Sequence, residues 1–144
     1  TTACFKETLR LYPPVVMLAR VATRDTVLEG TNTAVDEGGM CNLNIWSVQR
    51  SPKYWKRPLE FSPERWLPEG LEEFGPVNED AFVAFGGGSR VCIGKYFAIM
   101  EGQILASQVL RKVKFEPVPD FEPEIKSMMT LTSTNGIWLN ALPR

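Results

Sequence analysis

Histidine is absent from all 144 residues. Without it, these residues cannot build a Ser-His-Asp or Cys-His catalytic set, a histidine-bearing zinc site or a histidine-ligated haem. Cysteine is scarce. Cys4, Cys41 and Cys92 form an odd set at wide spacing, which suits neither a disulfide framework nor a zinc knuckle and points to a reducing, intracellular setting. An excess of either charge is also missing: 16 Lys and Arg face 17 Asp and Glu, for a net charge of −1. No basic field therefore marks nucleic acid or an anionic membrane surface as a partner. There is no repeat, low-complexity tract or long charge run. The longest apolar stretches, such as Val15 to Ala19, fall far short of the roughly 20 residues that cross a bilayer.

What is present concentrates in the run Phe85-Gly86-Gly87-Gly88-Ser89-Arg90-Val91-Cys92-Ile93-Gly94. It sets one cysteine between glycines, two residues after an arginine, directly before a helical pattern with apolar residues at Ile93, Phe97, Met100 and Ile104 and, less regularly, Val109 and Val113. Cysteine binds metal as the thiolate, and the N–H groups of a helix N-terminus favour that form. Gly88 and Gly94 permit positive φ or close approach of backbone to a large ring. Arg90 offers a forked donor matched to a carboxylate, and Phe85 could cover the sulfur and keep water from it. The combination suits a thiolate ligating the metal of a flat, anionic cofactor such as haem.

Other readings of the run fail on spacing. A phosphate loop, Gly-x-x-x-x-Gly-Lys-Ser/Thr, would need glycine at Ser89 and a hydroxyl residue at Tyr96. The dinucleotide fingerprint would need glycine at Val91. A buried structural cysteine explains Cys92 taken alone, but not the residues arranged around it.

Phe85, Gly88, Arg90, Cys92 and Gly94 match Phe-x-x-Gly-x-Arg-x-Cys-x-Gly, which resembles the haem-binding signature of the cytochrome P450 superfamily. Glu7-Thr8-Leu9-Arg10 resembles that family's Glu-x-x-Arg on its K helix. Pro63-Glu64-Arg65-Trp66 resembles its Pro-Glu-Arg-Phe, with tryptophan in place of phenylalanine. The three motifs agree in order and spacing and run from Glu7 to Gly94. The resemblance implies a fold of helices with small β-sheets (α+β), running from the K helix through the haem-binding loop and L helix to a terminal β-hairpin. Residues 1–144 would then be the C-terminal portion of a single domain, with an oxygen-activating helix, its acidic-alcohol pair and most of the substrate pocket expected upstream of Thr1.

The residue pattern can be read beside that expectation. Residues 1–12 read as a helix stopped by Pro13-Pro14. Glu7 and Arg10 share one face of it. Alone they would be an exposed pair worth little; by resemblance they form a buried ion network completed by Arg65. Short strands are expected over Val15–Val27 and Met40–Val48, with a turn-rich stretch over Gly30–Gly39, forming by similarity a small mixed sheet beside the haem. Trp46 and Ser47-Val48-Gln49-Arg50 resemble a short helix of the family that often carries histidine where Gln49 stands. Tyr54–Phe82, rich in proline, reads as an ordered irregular meander. A long helix is expected over Ile93–Val113. Strands follow at Lys114–Val118, Met129–Thr132 and Ile137–Leu142, the last two joined by a turn at Ser133-Thr134-Asn135-Gly136.

By resemblance, Cys92 is the metal ligand of haem b (iron protoporphyrin IX), and Phe85, Gly88, Arg90, Gly94 and Arg20 complete the cofactor site. Arg20 would be a second propionate partner; the plain alternative is a solvent-facing strand arginine. Val15, Met17, Met129 and Thr130 fall where the family contacts substrate, and ordinary core packing is the alternative for Val15 and Met17. No catalytic proton-delivering residue is expected in this segment, which on its own is expected neither to catalyse, nor to hold haem tightly, nor to fold stably. The implied activity is insertion of one oxygen atom of O2 into a small apolar organic substrate, with electrons from a separate reductase and no nucleic-acid partner. The implied address is intracellular, at the endoplasmic reticulum membrane if an N-terminal anchor precedes this segment. A haem-thiolate isomerase or dehydratase of the same fold is the alternative, although such relatives often carry an altered cysteine loop, and the loop here is regular. A truncated, inactive copy is the reading outside enzymes.

Overall fold

The computed structural model describes residues 1–144. Helix α1 spans Thr2–Leu11 and stops where Pro13 and Pro14 remove backbone donors. Its buried face carries Ala3, Glu7, Leu9, Arg10 and Leu11. Strands β1 (Met17–Val21) and β4 (Met40–Asn44) pair antiparallel, with Met17 opposite Asn44 and Arg20 opposite Cys41. The expected Met40–Val48 strand is shorter because the Asn44 side chain accepts the Ser47 N–H and caps a single-turn helix, α2 (Ile45–Val48). Within the turn-rich stretch, β3 (Thr33–Val35) pairs with β2 (Thr26–Leu28) across a turn holding Gly30 and Asn32 at positive φ. All strand pairs are two-stranded and antiparallel. The mixed sheet expected from similarity is therefore not formed among these residues: β1 pairs with β4, and Val113–Pro117 with Leu139–Pro143, each antiparallel across the segment between them.

The meander carries short 3-10 turns and a single-turn helix, α3 (Leu71–Phe74). Helix α4 covers Lys95–Leu110, starting two residues later than expected because Gly94 is its N-cap and Cys92-Ile93 stay in the preceding turn. It crosses α1 at Gly102, where a Cβ would come within 2.3 Å of the Phe5 ring. Beyond it lie β5 (Val113–Pro117), β6 (Ile125–Ser127), β7 (Leu131–Ser133) and β8 (Leu139–Pro143). The expected hairpin of the last two strands is corrected: β7 pairs with β6, and β8 pairs with β5. Met128–Thr130 make the tight turn of the β6–β7 hairpin, and the Met128 N–H donates to Thr130 O. Gly136 at φ +83° and the Trp138 indole, which donates to Asn135 O, fold the next segment away from β7.

The interior is organised by charge. Glu7 and Arg10 are fully buried, and Arg65 nearly so. Glu7 Oε1 accepts from Arg10 Nη2 at 2.9 Å, the Ser62 amide at 3.0 Å and Arg65 Nε at 3.1 Å. Glu7 Oε2 accepts from Arg10 Nε and Trp66 Nε1, both at 2.9 Å. Arg10 spends its remaining donors on the carbonyls of Gln49, Pro58 and Glu60, so all five of its N–H groups are used. Arg65 donates to the carbonyls of Lys56 and Arg57. Gln49, also fully buried, donates its side-chain amide to the Leu9 and Arg10 carbonyls at the end of α1. Irregular backbone from 49 to 66, which lacks a sheet ladder, thus has several of its carbonyls satisfied by two guanidinium groups.

Burial alone would raise the Glu7 carboxyl, but the Arg10 bonds, the Ser62 amide, the Trp66 indole and the Arg10 charge outweigh it and hold the group below its ordinary 4.5. A carboxylate depressed in the fold contributes stability above its unfolded value and loses it as pH falls through the folded one. The complete protein should therefore keep its melting temperature as pH drops toward 4.5 and lose this contribution progressively below that; a melting temperature independent of pH there would contradict the network. Glu7→Ala strands two buried cations, an expected loss of about 3–5 kcal/mol, read as little soluble, haem-loaded protein. Normal yield and haem content in that variant would contradict the assignment.

Candidate functional site

Between α1, the Pro14–Arg20 segment and the cysteine loop lies an open cavity of about 710 Å³. Its walls are largely apolar, built from residues such as Phe5, Leu9, Leu18 and Phe85, and Arg20, Arg90 and Cys92 also line it. The glycine run makes the turn that brings Cys92 there. Gly86 and Gly88 take φ of +72° and +64°, conformations that L side chains rarely adopt. Gly86 also has Leu18 Cδ1 3.3 Å from where a Cβ would sit. The loop closes on itself: the Gly86 amide donates to Val83 O at 2.8 Å, and the Cys92 amide donates to Phe85 O at 2.9 Å. Gly94 is at φ −84°, open to any residue, so its role is proximity: a Cβ there would lie 3.8 Å from Cys92 Sγ.

The fold brings most of the sequence-derived candidates together. Phe85, Arg90, Cys92, Arg20 and Val15 share the cavity, and Gly88 and Gly94 sit in the loop that shapes its rim. Arg20 and Arg90 are exposed, and neither is tied to a carboxylate of the chain. Cys92 is exposed and free. Met17 lines a neighbouring hollow with Trp46 and Ile125. Met129 and Thr130 lie in the β6–β7 turn and line neither space, Met129 being almost fully exposed. That hairpin is nevertheless anchored beside Val15, because the Leu131 amide donates to Pro14 O at 2.7 Å.

Several contributing residues escaped the sequence reading. Phe5 and Leu9 form cavity walls, yet nothing in their spacing separates them from ordinary core. Gly86 was hidden by its neighbours, since a run of three glycines does not reveal which ones take positive φ. Trp66 was noted only as a departure from phenylalanine, and its indole N–H proves to be a donor to Glu7.

Comparison with known proteins gives a consistent result. The family model described as Cytochrome P450 matches residues 1–140. Human cytochrome P450 4F8 is 35% identical over 143 residues, a match covering 99% of this chain and 26% of that protein. Mouse leukotriene-B4 omega-hydroxylase 3 is 33% identical over 142 residues with the same coverage. The chain thus spans about a quarter of the length of the curated relatives it matches. Among solved structures, the cytochrome P450DA heme domain superposes with a TM-score of 0.84 at 27% identity, covering 99% of this chain and 31% of that one. The retinoic acid-bound cyanobacterial CYP120A1 superposes with a TM-score of 0.85 at 25% identity, covering 99% and 32%.

The geometry of the loop predicts a paired result. Gly86→Ala and Gly88→Ala should each destabilise the complete protein by about 1–2 kcal/mol through the left-handed backbone alone. Gly86→Ala should lose more, because its methyl meets Leu18 while the space at Gly88 is open. Denaturant unfolding checks both; no loss at either position would contradict the described turn.

Proposed function

The chain belongs to the cytochrome P450 family, and on that premise we propose that it forms the cysteine-bearing part of a haem-thiolate monooxygenase. The observation that carries this reading is the cavity itself, an apolar chamber lined by one thiol and two guanidinium groups without carboxylate partners. The donor set also fits. Cys92 stands as a single soft ligand beside two free guanidinium groups, a set that suits a metal already held in an anionic macrocycle. Haem b offers an apolar ring for the walls, two propionates for Arg20 and Arg90, and an iron for the sulfur.

In this reading Cys92 would hold the iron as thiolate, and Arg90 and Arg20 would orient the cofactor through its propionates. Phe85, which lines the cavity with Cys92, would shield the sulfur from water once the cofactor is seated. Gly88 and Gly94 present no side chain at their own positions, so that backbone could approach the ring there. Val15, on the cavity wall, is the substrate-contacting residue nearest this arrangement; Met17, Met129 and Thr130 would act from outside that wall. When bound, haem with a cysteinate ligand supplies activation of dioxygen for insertion of one oxygen atom into a C–H or double bond. The complete enzyme would take an apolar organic substrate and electrons from a reductase. The mouse relative's name, an omega-hydroxylase of leukotriene B4, supports a lipid as the substrate class. Residues 1–144 are proposed as the C-terminal portion of one domain. No helix here is long and apolar enough to cross a membrane. A place at the endoplasmic reticulum membrane, through an anchor outside these residues, is proposed on the family resemblance.

Carbon monoxide tests the ligand. The reduced complex of the complete protein should show the strongly red-shifted absorption band of a thiolate-ligated haem, and Cys92→Ser should abolish it. Retention of that band in the variant would place the ligand elsewhere.

A further inference from the structure

We propose that Trp66 is a positioning residue that couples the buried Glu7 network to the chain leading into the Cys92 loop. The proposal rests on the haem-thiolate reading only for what Cys92 does, not for the coupling.

Trp66 touches both ends of this link. Its indole N–H donates to Glu7 Oε2 at 2.9 Å, a bond that phenylalanine at this position could not make. Its ring meets Phe82 edge-on, with centroids 4.8 Å apart and planes at 65°, a favourable aromatic geometry. Trp55 packs against it at 5.8 Å, and the Lys6 ammonium lies 5.3 Å from its ring centre. The electrostatics agree in direction: a cation faces the electron-rich ring, and a carboxylate meets its electropositive N–H edge. The indole is therefore fixed by α1 from two sides, through Lys6 and Glu7.

Phe82 passes that placement on. It stands three residues before Phe85, whose carbonyl accepts the Cys92 amide at 2.9 Å, and one residue before Val83, whose carbonyl accepts the Gly86 amide at 2.8 Å. Displacing Phe82 shifts both acceptors, and with them the turn that presents the thiol. Through the Trp66 N–H and the Phe82 ring, the placement of Glu7 is passed to the loop that carries the sulfur. Plain packing by Trp66 would stabilise the whole chain evenly. Positioning acts selectively on residues 82–92.

Amide hydrogen exchange on the complete protein separates the two. Trp66→Phe keeps the ring against Phe82 and removes the donor, whereas Trp66→Leu removes both. Exchange at the Gly86 and Cys92 amides should rise about tenfold in Trp66→Phe and further in Trp66→Leu, while the paired amides of β1 and β4 stay unchanged. A uniform rise across the chain, or none at Gly86 and Cys92, would overturn the proposal. Should Trp66→Leu fail to fold, the pair Trp66→Phe and Phe82→Leu decides it. The effect of the first on these two amides should shrink in the background of the second, and strict additivity would refute the link. The carbon monoxide band is read on the same samples. The predicted exchange pattern in a wild-type protein without that band would uphold the coupling and remove the haem-thiolate reading alone.

Discussion

Glu7 is a single carboxylate in the dark of the fold, and five donors converge on it from α1 and from backbone and side chains some 55 to 59 residues later. Thirteen residues are buried, and five of them, Glu7, Arg10, Gln49, Ser62 and Arg65, are polar or charged. The interior of this chain is therefore as much an ion network as a hydrocarbon core. A buried pair of cations around one anion is costly to desolvate, and it persists here because backbone carbonyls and the Trp55 and Phe74 rings take up the excess positive charge. The same arrangement satisfies irregular backbone that neither a helix nor a sheet could pair. Arg57 illustrates the constraint: it holds a left-handed φ of +46°, and its carbonyl accepts from both the Glu60 amide and Arg65.

The chemistry sits one layer away from that network. α1 gives Glu7 and Arg10 to the network and Phe5 and Leu9 to the cavity wall. The meander returns to α1 through Arg65 and Trp66, then delivers Phe82 and the glycine turn to the other side of the cavity. Helix α4, which follows the thiol, has no buried residue and exposes Tyr96, Phe97, Met100, Ile104 and Leu105. Its apolar residues lie on all sides, the composition of a helix meant to be covered all round rather than to face water.

The thiol loop was legible in the sequence because it is local: ten consecutive residues hold the turn and bring Arg90 and Cys92 to the cavity. The helix with Glu7 and Arg10 was equally legible, its end marked by the Pro13-Pro14 stop. That the pair is buried was not, since a spacing of three fits an exposed pair as well; the missing information is Arg65, brought in by the meander, and only the family resemblance supplied it. The terminal strands went wrong for a different reason. Three-residue strands such as Ile125–Ser127 are too short for alternation to set a partner, and the turn at Gly136 redirects the chain where a hairpin was expected. Trp66 looked like a conservative exchange of one aromatic residue for another, because a single N–H donor has no signature until its acceptor is known.

X-ray absorption at the iron edge of the haem-loaded, complete protein tests the central claim most directly, since it reports the atoms bound to the metal without assuming a catalysed reaction. The account predicts one sulfur in the iron's coordination sphere beside the nitrogens of the macrocycle. A sphere of nitrogen and oxygen alone would contradict the assignment of Cys92 and the site built around it.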